Sequence, residues 1–141
     1  MSSDTPRIAL DANVILRYLL KDHPQLSEKA RAIWQSVEEG NALAVCDPVI
    51  VAEVVFVMRS VYDLPNAVIS QALIGLLQPD EVILAEKPRY LRALRLFGES
   101  LGHFGDACAC AAALEDCDGR LYSFDRKLSS APGIERLESP E

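Results

Sequence analysis

The chain has 141 residues and is 50% hydrophobic and 25% charged, a composition and size suited to one domain that buries roughly 68% of its unfolded surface and needs no staples. Fourteen basic residues against twenty-one acidic ones leave a net charge of −7, which excludes a protein that coats nucleic acid through bulk positive charge. The most apolar window, 49–58, is interrupted by Glu53 and is too short to span about 30 Å of hydrocarbon, so no membrane association is expected.

Arg7 to Leu10 reads as a first strand that stops on a carboxylate, Asp11, before an apolar helix from Asn13 to Leu20. Lys21-Asp22-His23-Pro24 breaks that helix. A helical pattern resumes from Ser27 to Glu39, with Leu26, Ala30, Ile33, Trp34 and Val37 on one side, and Gly40-Asn41 ends it. Ala42 to Val45 is a short buried strand. Asp47-Pro48 then supplies an N-cap acid and a proline at the first helical position, so a helix is expected over 48–61.

Leu64-Pro65 opens a further helix, with Val68, Ile69, Ala72, Leu73, Leu76 and Leu77 at helical spacing, and Gln78-Pro79-Asp80 closes it. Glu81 to Ala85 is rich in β-branched residues and reads as a strand. Pro88 starts a helix to about Leu101, and another covers about Asp106 to Glu115. Arg120 to Phe124 is a short strand ending on Asp125, and Gly133 to Leu137 offers a last weak strand. Strands separated by helices imply an α/β fold: a three-layer α/β/α sandwich around a central, mainly parallel sheet of four to five strands. One domain is expected over 1–141, with its core at about 7–137.

Residues 1–6 lack both a basic start and an apolar signal core, so a cytoplasmic location is expected. Cys46, Cys108, Cys110 and Cys117 show no Cys-x-x-Cys spacing, and His23 and His103 stand far apart. The cysteines therefore read as reduced core thiols rather than zinc ligands.

Four acids come from four separate places. Asp11 and Asp125 each come after a strand, and ligands of open α/β sheets bind outside the carboxyl ends of strands. Either acid also suits a turn or the cap of the next helix. Glu53 lies among hydrocarbon neighbours and, if buried, needs a compensating partner; it also fits a partly exposed position, or a pair with Arg59. Asp106 opens the helix with the smallest side chains, where it suits capping as well as ligation. If the topology sends all four to one rim, their mutual repulsion, roughly 4 kcal/mol per pair about 4 Å apart at an effective dielectric of 20, requires cations or protons. An all-oxygen set suits Mg²⁺ or Mn²⁺. Asn13 and Ser123 are short polar neighbours suited to orienting the acids.

At Leu10-Asp11-Ala12-Asn13-Val14-Ile15-Leu16-Arg17-Tyr18-Leu19, the apolar helix with Glu53, Phe104-Gly105-Asp106-Ala107 and Ser123-Phe124-Asp125, the chain resembles the PIN-domain nucleases. Among them it resembles the small VapC-type toxins of bacterial toxin–antitoxin pairs. The resemblance covers about residues 7 to 137. It implies a Mg²⁺- or Mn²⁺-dependent endoribonuclease with Asp11, Glu53, Asp106 and Asp125 as catalytic and metal-binding residues, a homodimer, an RNA substrate and a cognate antitoxin that blocks the site. Such proteins usually carry Thr or Ser where Ala12 stands, and often an acid at the position of His103. His103 therefore suits either a general base or phosphate contact, or a surface or capping position. The residues also suit two rival functions. One is phosphoryl transfer with Asp11 as covalent nucleophile, as in haloacid-dehalogenase-like phosphatases, although those want an acid where Asn13 stands. The other is an interaction module without catalysis. Lys87, Arg89, Arg92 and Arg95 form the best candidate phosphate-contacting strip, or an ordinary solvated face. The helices over 64–77 and 27–37 are candidates for a partner surface, and their residues suit core equally well.

Overall fold

Two parallel β-groups carry the chain in the computed structural model, which describes residues 4–99 and 101–140. The first has β1 (Arg7–Ala9), β2 (Leu43–Cys46) and β3 (Val82–Leu84) in the order β1-β2-β3. Ala9 lies opposite Val45, and Val45 opposite Ile83. β2 is the middle strand, and Leu43, Ala44 and Cys46 are all buried. A strand covered on both faces reads as such an unbroken apolar run. The second group pairs β4 (Arg120–Tyr122) with β5 (Glu135–Leu137), Leu121 opposite Arg136. The expected parallel α/β architecture is present with five strands, but among the described residues they are hydrogen-bonded as three and two. The strands are only three or four residues long. The ladder of β4 goes to β5, whose start is fixed by Gly119. A Cβ on Gly119 would stand 2.1 Å from the Gly133 carbonyl oxygen, and its φ is +81°.

Six α-helices connect the strands: α1 (Ala12–Leu20), α2 (Pro24–Glu38), α3 (Pro48–Ser60), α4 (Asn66–Leu77), α5 (Lys87–Glu99) and α6 (Phe104–Asp116). α2 starts three residues earlier than expected. His23 is its N-cap, the ring Nδ1 accepting from the Leu26 N–H at 3.1 Å, and Pro24 takes the first helical position. Proline loses nothing there, because that N–H has no intrahelical partner. The break therefore lies at 21–23, with Lys21 in the left-handed region at φ 55°. Gly40, at φ 80°, ends α2 as expected.

α1 packs on α2, α4 on α5 and α5 on α6, while α3 touches α1, α4 and α6. The core joins Ile15, Trp34, Val37, Val54, Met58, Ile69, Leu73, Leu77, Leu94 and Phe97, and full burial of such a side chain stabilises by about 1.5–3 kcal/mol. α4 and α2 bury most of their apolar residues here, Ile69, Leu73, Leu76, Leu77, Ala30, Trp34 and Val37, while Leu26 and Val68 are exposed. Of the two roles these helices suit, most of their apolar residues take the core one. The large exposed apolar residues of α3 are Val49 and Phe56, with Val61 just beyond its end. No helix among the described residues is long and apolar enough to cross a membrane.

Candidate active site

Asp11 is the N-cap of α1, and its Oδ1 accepts from the Val14 N–H at 3.0 Å. The Leu10 N–H still bonds the Val45 carbonyl at 3.1 Å. The acid therefore leaves the ladder one residue later, at the carboxyl edge where β2 also ends and α3 begins. Asp47 caps α3 at this edge, its Oδ1 accepting from the Val49 N–H at 2.8 Å.

Glu53 is exposed, the outward position that the sequence allowed beside a buried one. Burial on α3 is decided by face. Val51, Val54, Val55 and Met58 turn inward, while Ala52, Glu53 and Phe56 are exposed. The suggested partner Arg59 pairs with Asp63 at 3.2 Å.

Asp106 is half-buried in the first turn of α6. It does not cap the helix. The N-cap is His103, which makes no side-chain cap bond, and Asp106 has no hydrogen bond or ion pair among the described residues. A carboxylate in the first turn is stabilised by the helix dipole with both oxygens left for a ligand. The rest of α6 is built from small residues: Ala107, Cys110 and Ala111 are fully buried, so α6 packs closely on α5.

Asp125 stands after β4 at the head of a short 3-10 turn over Arg126–Ser130, an element the sequence pattern did not suggest. Its Oδ1 accepts from the Lys127 N–H and its own N–H donates to Ser123 Oγ, both at 3.0 Å. Ser123 thus holds the Asp125 backbone. Asn13 makes no hydrogen bond to Asp11 among the described residues. It lines a cleft of about 390 Å³ between α1 and α2 with Arg17, Leu26 and Lys29.

The elements carrying the four acids form a contiguous series: α1 packs on α3, α3 on α6 and α6 on β4. Among the described residues no group of three or more His, Cys, Asp or Glu side chains is placed to hold a metal ion, so the structure does not gather the four acids into the single cluster expected of them. The acids instead present open oxygens. Of eight carboxylate oxygens, Asp11 Oδ1 and Asp125 Oδ1 accept backbone bonds, leaving six. Carboxylate oxygens are the donor type that Mg²⁺ and Mn²⁺ prefer, and those ions retain several waters when bound by a few carboxylates.

Between α3 and the start of α6 lies a cleft of about 550 Å³ bordered by Phe56, Arg59, His103, Phe104 and Cys108. His103 lies at its mouth, exposed. Ala12 is buried against the core, so no side chain at that position replaces the missing hydroxyl near Asp11. In the expected phosphate strip Arg89 is already engaged, by Glu115 at 3.1 Å and by Asp116. Lys87 caps the carbonyls of Pro79 and Val82. Only Arg92 and Arg95 of that strip are exposed. Cys46 and Cys110 are buried and Cys108 is half-buried, whereas Cys117 is exposed at the end of α6 and is no core thiol.

The fold and the site together define a small α/β domain with parallel strands that carries acids after strand ends and on its helices. The chain belongs to the PIN domain family, whose model matches residues 8–134. Domains of this family are generally metal-dependent nucleases. No curated protein and no solved structure matches the chain.

Proposed function

We infer that this PIN domain is a Mg²⁺- or Mn²⁺-dependent endoribonuclease of the cytoplasm, and that Asp11, Glu53, Asp106 and Asp125 hold the cation. One observation carries this reading. Seven ion pairs join described residues, and all seven use other acids: Asp22, Glu28, Asp63, Glu115, Asp116, Asp118 and Glu138. Asp11, Asp106 and Asp125 at element ends and Glu53 within α3 enter none of these pairs, which leaves them available to a cation. A bound divalent ion lowers the pKa of an attacking water and offsets charge on the phosphoryl oxygens. The protein's own part is positional. The backbone bonds to Asp11 and Asp125 fix one oxygen of each and leave the other for the ion, while Ser123 holds the Asp125 peptide.

The resemblance to VapC-type toxins makes this the toxin of a toxin–antitoxin pair, working as a homodimer and blocked by a cognate antitoxin. The exposed Val49 and Phe56 of α3 support a protein partner or a second copy on that helix. Titration with Mn²⁺ followed by calorimetry, with cleavage of a labelled RNA in parallel, tests the site. Wild type should bind and cut, and Asp106→Asn and Glu53→Gln should lose both while melting like wild type. Undiminished cleavage by both variants refutes the assignment.

A further inference from the structure

Phe124 is 84% exposed and Tyr122 is 61% exposed. Large aromatic rings are rarely left in water, and these two stand two residues apart. Successive side chains of a strand alternate faces, so Arg120 and Tyr122 share one within β4, and Phe124 follows at the bend just beyond the strand. Backbone pairing with β5 runs one residue past β4, the Ser123 N–H donating to the Leu137 carbonyl at 3.1 Å.

The turn bearing Phe124 is held firmly. Arg136 donates to the Ser123 carbonyl at 2.8 Å, Ser123 Oγ accepts from the Asp125 N–H, and the Asp125 side chain closes on the Lys127 N–H. Local charge also departs from the rest of the protein. Residues 120–136 contain Arg120, Arg126, Lys127 and Arg136 against Asp125 and Glu135, four positive minus two negative, in a chain of net charge −7. Arg126 and Lys127 are exposed and enter none of the ion pairs of the described residues, and Arg120 has only the exposed Asp118 at 3.9 Å. Flat rings flanked by free cations on a rigid edge are what an unpaired polynucleotide uses: bases stack on the rings and phosphates meet the cations. A duplex hides its base faces and gains nothing from the rings.

We propose that Tyr122 and Phe124 form a base-stacking ledge, with Arg126 and Lys127 on the neighbouring phosphates, that positions an unpaired nucleotide beside Asp125. The ledge rests on the nuclease reading of the adjoining acids for the identity of its ligand. Phe124 is a positioning residue and does not itself take part in bond cleavage.

The test is anisotropy of a fluorescein-labelled single-stranded RNA decamer of mixed sequence with Ca²⁺ present, alongside cleavage of the same decamer in Mn²⁺. Phe124→Ala and Phe124→Leu should each weaken binding on the order of tenfold, the range for loss of one stacked base, and Phe124→Trp should restore it. The slope of log affinity against log salt should stay unchanged in Phe124→Ala and fall by about 0.7 in Arg126→Ala, as for one phosphate contact on a single strand. Melting of Phe124→Ala should match wild type, since the ring is mostly in solvent. Wild type that ignores the decamer, alanine and leucine variants that bind as wild type, or equal affinity for the corresponding duplex would each overturn the ledge. Loss of cleavage in Asp106→Asn with normal Phe124→Ala binding leaves the nuclease reading standing and the ledge refuted. Binding that depends on Phe124 with no cleavage by wild type does the reverse.

Discussion

Asp11 has two jobs that two substitutions separate. Its Oδ1 caps α1 through the Val14 N–H, and the acid stands at the carboxyl edge where the cation is proposed to bind. Asparagine caps as well as aspartate, whereas alanine leaves a first-turn N–H without its side-chain acceptor at a cost of about 1 kcal/mol. For a domain of this size that cost lowers the melting temperature by roughly 3–4 °C. Asp11→Asn should therefore melt within about 1 °C of wild type, since the cap preference of the two residues is nearly equal, while Asp11→Ala melts lower. Cleavage should respond differently. Both variants lack the charge, so both should lose on the order of a hundredfold in Mn²⁺-dependent cleavage, the scale of removing one charge-stabilising group from a reaction centre. Circular dichroism melts and a gel assay on labelled RNA read the two effects separately. An Asp11→Asn variant that cuts like wild type, or that falls in step with its melting temperature, would show that Asp11 serves only as a cap.

The packing and the titrating groups give three further expected outcomes. A Cβ on Gly98 would lie 2.7 Å from Ser70 Cβ and Oγ, where overpacking costs about 1–3 kcal/mol, against about 0.8–1 kcal/mol gained in helix propensity. Gly98→Ala should destabilise in chemical denaturation yet stabilise in a Ser70→Gly background; the same sign in both would disprove the close approach. Asp22 is held below the usual carboxylate range by the Tyr62 hydroxyl at 2.7 Å and by Arg17. That stabilisation is present above the unfolded value of about 4 and is lost as pH falls through the depressed folded one. The melting gap between wild type and Asp22→Asn should thus be seen at pH 7 and close at strongly acid pH, and a gap that widens on acidification would contradict the assignment. Burial pushes the Cys46 and Cys108 thiols up to about 11 and raises Cys110, whereas Cys117 is exposed. One thiol in four should react rapidly with a disulfide reagent at pH 8, and Cys117→Ser should abolish that phase.

Features set by a few neighbouring residues were legible in the amino-acid order. Asp47-Pro48 starts a helix and Gly40 stops one, because an N-cap acceptor, a fixed proline φ and a left-handed glycine act within one turn. The same local grammar put Asp11 after a strand and Asp106 in a first turn, positions that the structure retains. Properties that depend on distant neighbours were not legible. The apolar window around Glu53 suggests burial, but a helix has faces, and contact with α1 and α6 turns that acid outward. Arg89 meets Glu115 and Asp116 across more than twenty positions, a meeting no pattern near Arg89 announces. Ring exposure at Phe124 and the hydrogen-bonded division of five strands into three and two have the same origin. Chain order governs dihedral angles and caps over four or five residues, whereas burial, ion pairing and strand partnership depend on which remote segments the folded chain brings alongside.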